Sequence, residues 1–355
     1  MRWDIFCRVI DNHGDAGVCW RLAAELAARA DLVRLWIDEP APLQWMAPGH
    51  PGVEVVHWTA DPPPLVPGDA VVEAFGCNPP ADFVARMAQA VRRPAWINLE
   101  YLSAEAFVAR NHGLASPVSH GPGAGLSKYF FYPGFSDRTG GLLREQDLAA
   151  RRQAFRREDW LRQWGVAPGA GRVLSLFCYE PEALAQLLRQ LAEGDAPCDL
   201  LVTAGRATAA VHAVLAQLAT VHSGWNTAGK LRLHWLPLLS QREYDQLLWA
   251  CDLNFVRGED SLVRGLLAGV PCIWQIYPQD DDAHHTKLEA WLAWLQVPPA
   301  LAQFHRVWNG AQAGSLPAPD PAGWGPAAAA ALARAQALPE LASSLRQFAV
   351  GRGRI

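Results

Sequence analysis

The strongest constraint on the fold is a regular alternation of short β-rich runs with segments of helical periodicity. In the first half, helices are predicted from Val18 to Arg29 and from Ala81, and strands are predicted at WDIFCRVI, LVRLWI, AVVEAF and PAWINLEYL. Such alternation is typical of parallel strands, because each crossover helix returns the chain to the same end of the sheet. The pattern therefore predicts an α/β fold.

The same rhythm restarts after a charged helical segment, REQDLAARRQAFRREDWLRQWG, which ends near Gly165. The second series contains RVLSLFCYE, CDLLVTAG, KLRLHWLPL and DLNFVRG. A chain of 355 residues is long enough to build two cores. We therefore predict a Rossmann-like domain over residues 1–165, a second over 172–335, a cleft between them, and a final helix over 336–355 that packs back on the first.

Three stretches lack clear periodicity. Residues 39–69 are rich in Pro, Gly and polar side chains and are predicted to have little regular structure. Residues 111–141 surround the apolar run KYFFYPGF and are predicted to line or cover a cleft. Residues 310–325 are predicted to be a linker before the final Ala-rich helix.

Composition narrows the classes of function. The 31 basic and 35 acidic residues form no long run of one sign, which argues against nucleic acid as a partner. No run of about 20 apolar residues predicts a membrane span, and the N-terminal segment has no signal-peptide core, so a cytoplasmic protein is expected. The seven cysteines are scattered and are predicted to be buried thiols. The absence of a GxSxG elbow and a Walker loop argues against hydrolases and kinases.

The loop DNHGDAG of residues 11–17 follows the first predicted strand, where ligands of such sheets bind. Its acids, Asp11 and Asp15, would repel a pyrophosphate and suit a cationic or proton-donating group, and either can serve as a general base. Alternatively, Asp15 only caps the helix and Asp11 only ends the strand. Backbone freedom at the glycines allows close approach to the helix N-terminus. We predict four residues that position this loop: Asn12, His13, Gly14 and Gly17.

The loop RGEDS of residues 257–261 is a second strand-to-helix turn. Ser261 or Asp260 is predicted to cap the following helix, whose free N–H groups and positive end would receive a diphosphate. Arg257 would add charge-assisted hydrogen bonds. The alternative is an ordinary capped helix beside a solvent-exposed arginine.

The loop QDDDAHH of residues 279–285 is the one place where His and Asp cluster. Adjacent histidines at a helix start are expected to point apart, whereas a metal needs three or four converging ligands. An acidic helix cap explains the carboxylates without a metal. No metal site is predicted here.

Four motifs resemble those of the protein-arginine rhamnosyltransferases that modify elongation factor P. They recur in order across nearly the whole chain: DNHGDAGVCWRLAAEL, FCYE, LSQREYDQLLWACDLNFVRGEDSLVRG and GVPCIWQIYPQDDDAHHTKLEAWL. The resemblance implies a GT-B glycosyltransferase fold, with the donor dTDP-β-L-rhamnose in the C-terminal domain and elongation factor P docked on the N-terminal domain. It also implies inversion at the sugar, no metal or other cofactor, and activation of elongation factor P for rescue of ribosomes stalled at polyproline. The expected oligomeric state is a monomer, although no motif in the sequence determines it.

The resemblance also assigns roles to individual residues. Asp15 matches the general base, Asp11 its companion carboxylate, and Glu259 a second-domain acid that is essential for activity. The residues that match the donor site are Tyr179, Gln241, Arg257, Gly258, Asp260 and Ser261. The sequence departs from the family pattern at His13, where Tyr or Phe is usual, and at Leu238, where a Phe can stack on thymine. These departures bear on base stacking and donor affinity.

The physical problem of modifying arginine fits these assignments. A guanidinium with a pKa above about 12 is a poor nucleophile until it loses a proton, which a carboxylate can accept as the C–N bond forms. Two alternatives stay open. One is another GT-B nucleotide-sugar enzyme, either an epimerase or a transferase with a small acceptor. The other is a non-catalytic nucleotide-sugar binding protein, in which the first-loop carboxylates would be idle.

Overall fold

The computed structural model describes residues 1–10, 13–47, 49–167, 169, 171–221, 224–278 and 283–352. The chain divides into two compact units: unit 1 comprises Met1–Leu148 and Ala337–Ile355, and unit 2 comprises Ala149–Gln336. None of the helices in the described part of the chain combines the length and apolar composition needed to span a bilayer.

Both units are built from alternating strands and helices. The strands are β1 (Arg2–Cys7), β2 (Leu32–Ile37), β3 (Val53–His57), β4 (Ala70–Ala74), β5 (Ala95–Leu99), β6 (Ala115–Pro117), β7 (Ser127–Phe131), β8 (Arg172–Leu176), β9 (Cys198–Val202), β10 (Leu231–Trp235), β11 (Leu253–Arg257) and β12 (Cys272–Gln275). The helices are α1 (Gly14–Ala28), α2 (Leu43–Met46), α3 (Ala81–Gln89), α4 (Ala106–Asn111), α5 (Leu148–Ala154), α6 (Arg157–Gln163), α7 (Leu184–Glu193), α8 (Arg206–Val221), α9 (Gln241–Ala250), α10 (Gly258–Ala268), α11 (Ala283–Leu295), α12 (Pro299–Trp308), α13 (Pro321–Ala337) and α14 (Leu341–Arg352).

Unit 1 contains a seven-stranded sheet in the order β3-β2-β1-β4-β5-β7-β6. All its pairs are parallel except β6 with β7. Every residue of β4 and β5 is buried, as expected for central parallel strands covered on both faces. One face packs with α1 and α14, and the opposite face packs with α3 around Phe6, Trp36 and Phe83. The sheet is therefore covered on both sides by helices.

Unit 2 contains a five-stranded sheet in the order β10-β9-β8-β11-β12, and all of its pairs are parallel. One face buries a core with α7, α8 and α12, and the other packs with α6 and α9. In both units the strand order reverses beside the first strand, between β1 and β4 and between β8 and β11. Such switch points open a crevice at the carboxyl ends of the strands, where α/β sheets bind ligands.

The boundary between the units differs from the sequence expectation. Residues 149–165 were expected in the first domain, but α5 and α6 belong to unit 2. Trp160 of α6 packs in the same core as Leu247 of α9, and Arg151 donates a hydrogen bond to Asp245 at 3.0 Å. The final helix packs on unit 1, where Leu345 lies in the core beside α1. Long-range contacts that local periodicity does not reveal set this boundary.

Some element bounds also differ from the prediction. Residues 39–69 contain the edge strand β3 and the short helix α2, although little regular structure was expected there. The charged segment 144–165 forms two helices rather than one, and α1 begins at Gly14 rather than at Val18. β3 was missed because three of its five residues are exposed, so its apolar pattern is weak.

Candidate active site

Asp15 lies in the first loop of unit 1 but does not cap its helix. The N-cap of α1 is His13, and Asp15 is the second helical residue. Its side chain is buried, and Oδ2 accepts a hydrogen bond from the backbone N–H of Ile10 at 2.9 Å. The carboxylate thus closes the turn between β1 and α1 and sits in the first helical turn, where the helix dipole favours negative charge. Asp11 and Asn12 lie outside the described residues.

The other predicted residues of this loop have definite places. The His13 ring meets Trp45 edge to face with centroids 5.4 Å apart, and the His13 carbonyl accepts the N–H of Gly17 at 2.9 Å. Gly14 is exposed and Gly17 is buried, and both have helical backbone in α1. The positive φ that the glycines permit is therefore not used here.

The second loop turns from β11 into α10 through an unusual backbone. Arg257 is the N-cap, and Gly258 follows with φ +63°, a left-handed conformation that favours glycine. Ser261 does not cap in the expected way. Its Oγ accepts a hydrogen bond from the Arg257 N–H at 2.9 Å and donates one to the Arg257 carbonyl. The hydroxyl therefore holds the backbone of the turn from inside the helix.

The Arg257 guanidinium spans the switch point of unit 2. Its Nη1 donates to the Cys178 carbonyl at 3.0 Å, which links the end of β11 to the chain after β8. The guanidinium also lies over the rings of Phe177 and Tyr179, 4.3 and 4.7 Å from their centroids. These contacts fix a positive charge beside the first turn of α10, a combination that suits a diphosphate.

Tyr179 is buried between several partners. Its backbone N–H donates to Oε1 of Gln275, the last residue of β12, at 2.8 Å. The guanidinium of Arg206 lies 4.7 Å from the ring centroid on a side chain that also forms an ion pair with Glu180. The pairing with Arg206 lowers the pKa of the Glu180 carboxyl. The ring thus contacts two guanidinium groups, and the one that belongs to Arg206 is ion-paired with Glu180.

Two contacts support the start of α10. The carboxylate of Glu259 forms an ion pair with Lys287 of α11, and Trp274 Nε1 donates to the Gly258 carbonyl at 2.7 Å. Asp260 follows in the first turn of the helix. Further along, Arg264 binds Asp245 of α9 through two hydrogen bonds of 2.8 Å. These bonds fix the direction of α10 and therefore of its N-terminus.

Gln241 lies at the first position of α9, after the strand at the far side of the sheet. Ser240 and Glu243 form a capping box that starts this helix. Leu238 belongs to the preceding loop, and 56% of its surface is exposed. β10 and β11 are three strand spacings apart in the sheet. Neighbouring strands lie about 4.7–4.9 Å apart, so the ends of these two strands are separated by about 14 Å. This span suits an extended ligand better than a compact one.

The third loop is only partly described. Residues 279–282 lie outside the described residues. His284 is buried, and its ring lies against that of His285 with centroids 4.2 Å apart, so the expectation that the two rings point apart is wrong. Within the described ranges, no three His, Cys, Asp or Glu side chains come together as a possible metal site.

Unit 2 thus brings together two predicted residues that are far apart in sequence, Tyr179 and Arg257. Three further residues that contact them, Phe177, Gln275 and Arg206, were not predicted from the sequence. Phe177 stood within the FCYE motif, and Gln275 ends a predicted strand, but neither position marked its side chain as functional. Arg206 is the first residue of α8, the helix that follows β9. Its place after a parallel strand was the available signal.

Comparison with known proteins identifies the family. The family model described as "Elongation-Factor P (EF-P) rhamnosyltransferase EarP" matches residues 3–350. The chain belongs to the EarP family. EarP relatives named protein-arginine rhamnosyltransferase occur in Pseudomonas putida, 46% identical over 331 residues, and in Pseudomonas aeruginosa, 43% identical over 330 residues. In each case the match covers 86% of this chain and 86% of the relative.

A solved structure extends the likeness to three dimensions. It is described as the structural basis for EarP-mediated arginine glycosylation of translation elongation factor EF-P. The match has a TM-score of 0.63 at 30% identity and covers 99% of both chains. The EarP family resemblance and the GT-B class predicted from the motifs are thereby confirmed. The chain is a glycosyltransferase of the protein-arginine rhamnosyltransferase class.

Proposed function

We propose that this enzyme transfers L-rhamnose from dTDP-β-L-rhamnose to an arginine side chain of elongation factor P, with inversion at the anomeric carbon. In this proposal unit 2 binds the donor and unit 1 supplies the general base. The observation that carries the donor assignment is the Arg257 guanidinium, held at the β8–β11 switch point beside the N-terminus of α10.

The donor diphosphate fits this place for electrostatic reasons. The first N–H groups of a helix have no intrahelical partner, and the helix dipole adds partial positive charge at the same end. Arg257 contributes a full charge, and the guanidinium of Arg206, which is ion-paired with Glu180, also lies against the Tyr179 ring. Gly258 has no side chain that would keep a phosphate from the backbone. Gln241 and Leu238 extend the site toward β10 and are assigned to the nucleoside.

Asp15 is assigned as the general base. Its Oδ2 is oriented by the Ile10 N–H, so the position of the carboxylate is set before the acceptor binds. A carboxylate binds a guanidinium through charge-assisted hydrogen bonds and can accept one of its protons. We assign Asp11 as the companion carboxylate of Asp15, and we assign Asn12, His13, Gly14 and Gly17 to positioning of the first loop. Glu259, held by Lys287, is assigned to orienting the sugar or the acceptor.

The reaction balances as a single displacement. A guanidinium nitrogen attacks C1 of rhamnose, and its electron pair forms the C–N bond while a proton passes to Asp15. The bond between C1 and the diphosphate oxygen breaks, and dTDP leaves with the electron pair. The charge that develops on the leaving group is stabilised by Arg257 and by the first turn of α10. Attack opposite the leaving group converts the β-anomer to the α-anomer.

We further propose that the reaction needs no metal, because Arg257 and the helix end supply positive charge where dTDP departs. The expected result is an unchanged turnover number after treatment with EDTA and desalting. Loss of activity that Mg²⁺ or Mn²⁺ restores would contradict this part of the proposal.

Intact mass spectrometry of purified elongation factor P tests the whole proposal. The acceptor is incubated with the enzyme and dTDP-β-L-rhamnose, beside a variant acceptor whose target arginine is lysine. We expect one added deoxyhexose on the arginine form only, and an α-linkage by NMR of the product. A sugar nucleotide changed without any transfer would support the epimerase alternative. Binding without turnover would support the non-catalytic alternative.

A further inference from the structure

Three neighbouring strands of unit 1 end in aromatic and acidic residues that the proposed chemistry does not use. β4 leads into Phe75, β5 into Glu100 and Tyr101, and β7 into Tyr132. We call these four residues the acceptor rim. The strands pair in parallel in the order β1-β4-β5-β7, so the rim lies at the same sheet edge as the Asp15 loop. β1 and β5 are two strand spacings apart, which is about 10 Å.

The Glu100 carboxylate is oriented by a buried amide. Asn98 Nδ2 donates to Glu100 Oε1 at 2.7 Å, while Asn98 Oδ1 accepts the N–H of Gly76 at 3.1 Å. Asn98 is buried and Glu100 is half-buried. Asn98 therefore ties the chain after β4 to the carboxylate after β5, which gives Glu100 a defined position at the edge of the sheet.

Glu100 forms no ion pair within the described ranges. The positive charge of Lys128 does reach it, but the Lys128 ammonium is ion-paired with the buried carboxylate of Glu73 at 2.5 Å. Burial raises the pKa of Glu100 above its ordinary value, although the hydrogen bond from Asn98 and the charge of Lys128 oppose this shift. The pKa of Tyr132 is also raised, first by burial and then by the negative charge of Glu100. A partly desolvated carboxylate of this kind is stabilised by an added cation.

The aromatic part of the rim is built on a strained backbone. The rings of Phe75 and Tyr101 are stacked, with centroids 4.4 Å apart and planes 12° from parallel. Phe75 has φ +57°, which is unusual for an aromatic residue, and its N–H donates to the Leu99 carbonyl at 2.7 Å. Strained residues of this kind cluster at functional sites. The stack leaves Tyr101 39% exposed beside Glu100.

We infer that Glu100 and the Phe75–Tyr101 stack bind a basic side chain of the acceptor protein, other than the modified arginine, and so select the acceptor. This inference rests on the proposed function. A carboxylate beside aromatic rings recognises Lys or Arg through a charge-assisted hydrogen bond and a cation–π contact. The separation of about 10 Å between the ends of β1 and β5 assigns this cation to a second residue, because the modified arginine must reach Asp15.

The test is the kinetics of Glu100→Gln with elongation factor P as acceptor and saturating dTDP-β-L-rhamnose. The substitution keeps the shape and the bond to Asn98 but removes the charge. We expect KM for the acceptor to rise about tenfold, which corresponds to about 1.4 kcal/mol, with little change in kcat or in the Kd for dTDP. The matched control is Glu54→Gln, an exposed acid on β3 that should leave every constant unchanged.

Two further measurements separate recognition from a structural role. The acceptor KM of the unaltered enzyme should rise more steeply with NaCl than that of Glu100→Gln, because the lost contact is ionic. Tyr101→Ala should also raise KM without changing the Kd for dTDP. An unaltered KM in Glu100→Gln or in Tyr101→Ala would overturn the inference while leaving the proposed function intact. Failure of the unaltered enzyme to modify elongation factor P would overturn both.

Discussion

Asp15 combines a structural contact with the role of general base that we propose for it. The hydrogen bond from the Ile10 N–H occupies Oδ2 and closes the turn into α1. An asparagine can accept the same bond through its amide oxygen but cannot take a proton from a guanidinium. The two roles can therefore be separated by one isosteric substitution.

Asp15→Asn is expected to lower kcat by at least 100-fold, within the range that general base catalysis contributes. The Kd for dTDP-β-L-rhamnose, measured by calorimetry, should stay unchanged, because the residues proposed to bind the donor belong to unit 2. Asp82→Asn, in the first turn of α3, is the control and should keep full activity. A clear loss of donor binding in Asp15→Asn would count against the assignment of the base.

Arg257 is held by a hydrogen bond and by contacts with two aromatic rings. Its position therefore depends on the shape of the guanidinium as well as on its charge. Arg257→Ala is expected to weaken dTDP binding about 10- to 100-fold, the size of a lost hydrogen bond to a charged group. Arg257→Lys should recover only part of this affinity, because an ammonium lacks the planar fork. Calorimetric titration with dTDP checks both. Arg162→Ala, an exposed arginine of α6, is the control, and equal affinities in Arg257→Ala and the control would refute the diphosphate role.

Among the elements, α10 and α12 support the proposed donor site from the two sides of β11 and β12. The Arg264–Asp245 pair fixes α10 against α9. On the other face, α12 packs against β12, and His305 Nδ1 accepts the Trp274 N–H at 3.3 Å. His305 is completely buried, and burial lowers its pKa to about 4. This helix therefore carries a neutral histidine in its contact with the sheet.

The lowered pKa of His305 predicts that the free energy of unfolding decreases in acid. In the unfolded chain, His305 has an ordinary histidine pKa of about 6.5. Between this pH and about pH 4, the unfolded state therefore binds a proton that the folded state does not bind. Stability is fully present above pH 6.5 and falls as the pH is lowered, by about 3 kcal/mol near pH 4.

His305→Asn should remove this part of the pH dependence, because its amide oxygen can accept the Trp274 N–H but does not titrate. The free energy of urea unfolding is measured for both proteins at neutral pH and near pH 4.5. We expect the difference between them to shrink, or to reverse, at the lower pH. Parallel pH profiles would contradict the prediction.

At the scale of the whole molecule, the last helix completes the first unit rather than the second. Leu341, Leu345 and Ala349 are buried in the core with α1 and β5. The Glu340 carboxylate binds Arg29, the C-cap of α1, at 2.6 Å, and Arg346 binds Asp31 at 3.0 Å. The chain thus returns to unit 1 after building unit 2.

Leu345→Ala is therefore expected to destabilise unit 1, by about 2–5 kcal/mol for a buried leucine. Hydrogen exchange followed by mass spectrometry should show faster exchange in β1, α1 and α14 and unchanged protection in β8 to β12. Val350→Ala, on the same helix but 38% exposed, is the control. Equal loss of protection in both units would contradict this assignment of the helix.

Local pattern in the sequence was enough for the class of fold and for the central strands of both sheets, but not for the edge strand β3 or the short helix α2. β2 and β9 begin where their apolar runs predicted, and the alternation of strands with helices indicated parallel sheets before any contact was known. The RGEDS and DNHGDAG motifs indicated the family, because such motifs keep their residues in a fixed order along the chain. These features depend on neighbours a few positions apart, which periodicity records.

Only the tertiary structure decided which residues meet. Strand order brings Arg257 to the carbonyl of Cys178, and it leaves Glu100 without an ion pair in the described part of the chain while Lys128 binds Glu73. It also decided that Ser261 holds the backbone of Arg257 instead of capping as expected. Strand order and side-chain partners result from long-range packing and from the burial of charge, neither of which leaves a periodic trace in the sequence.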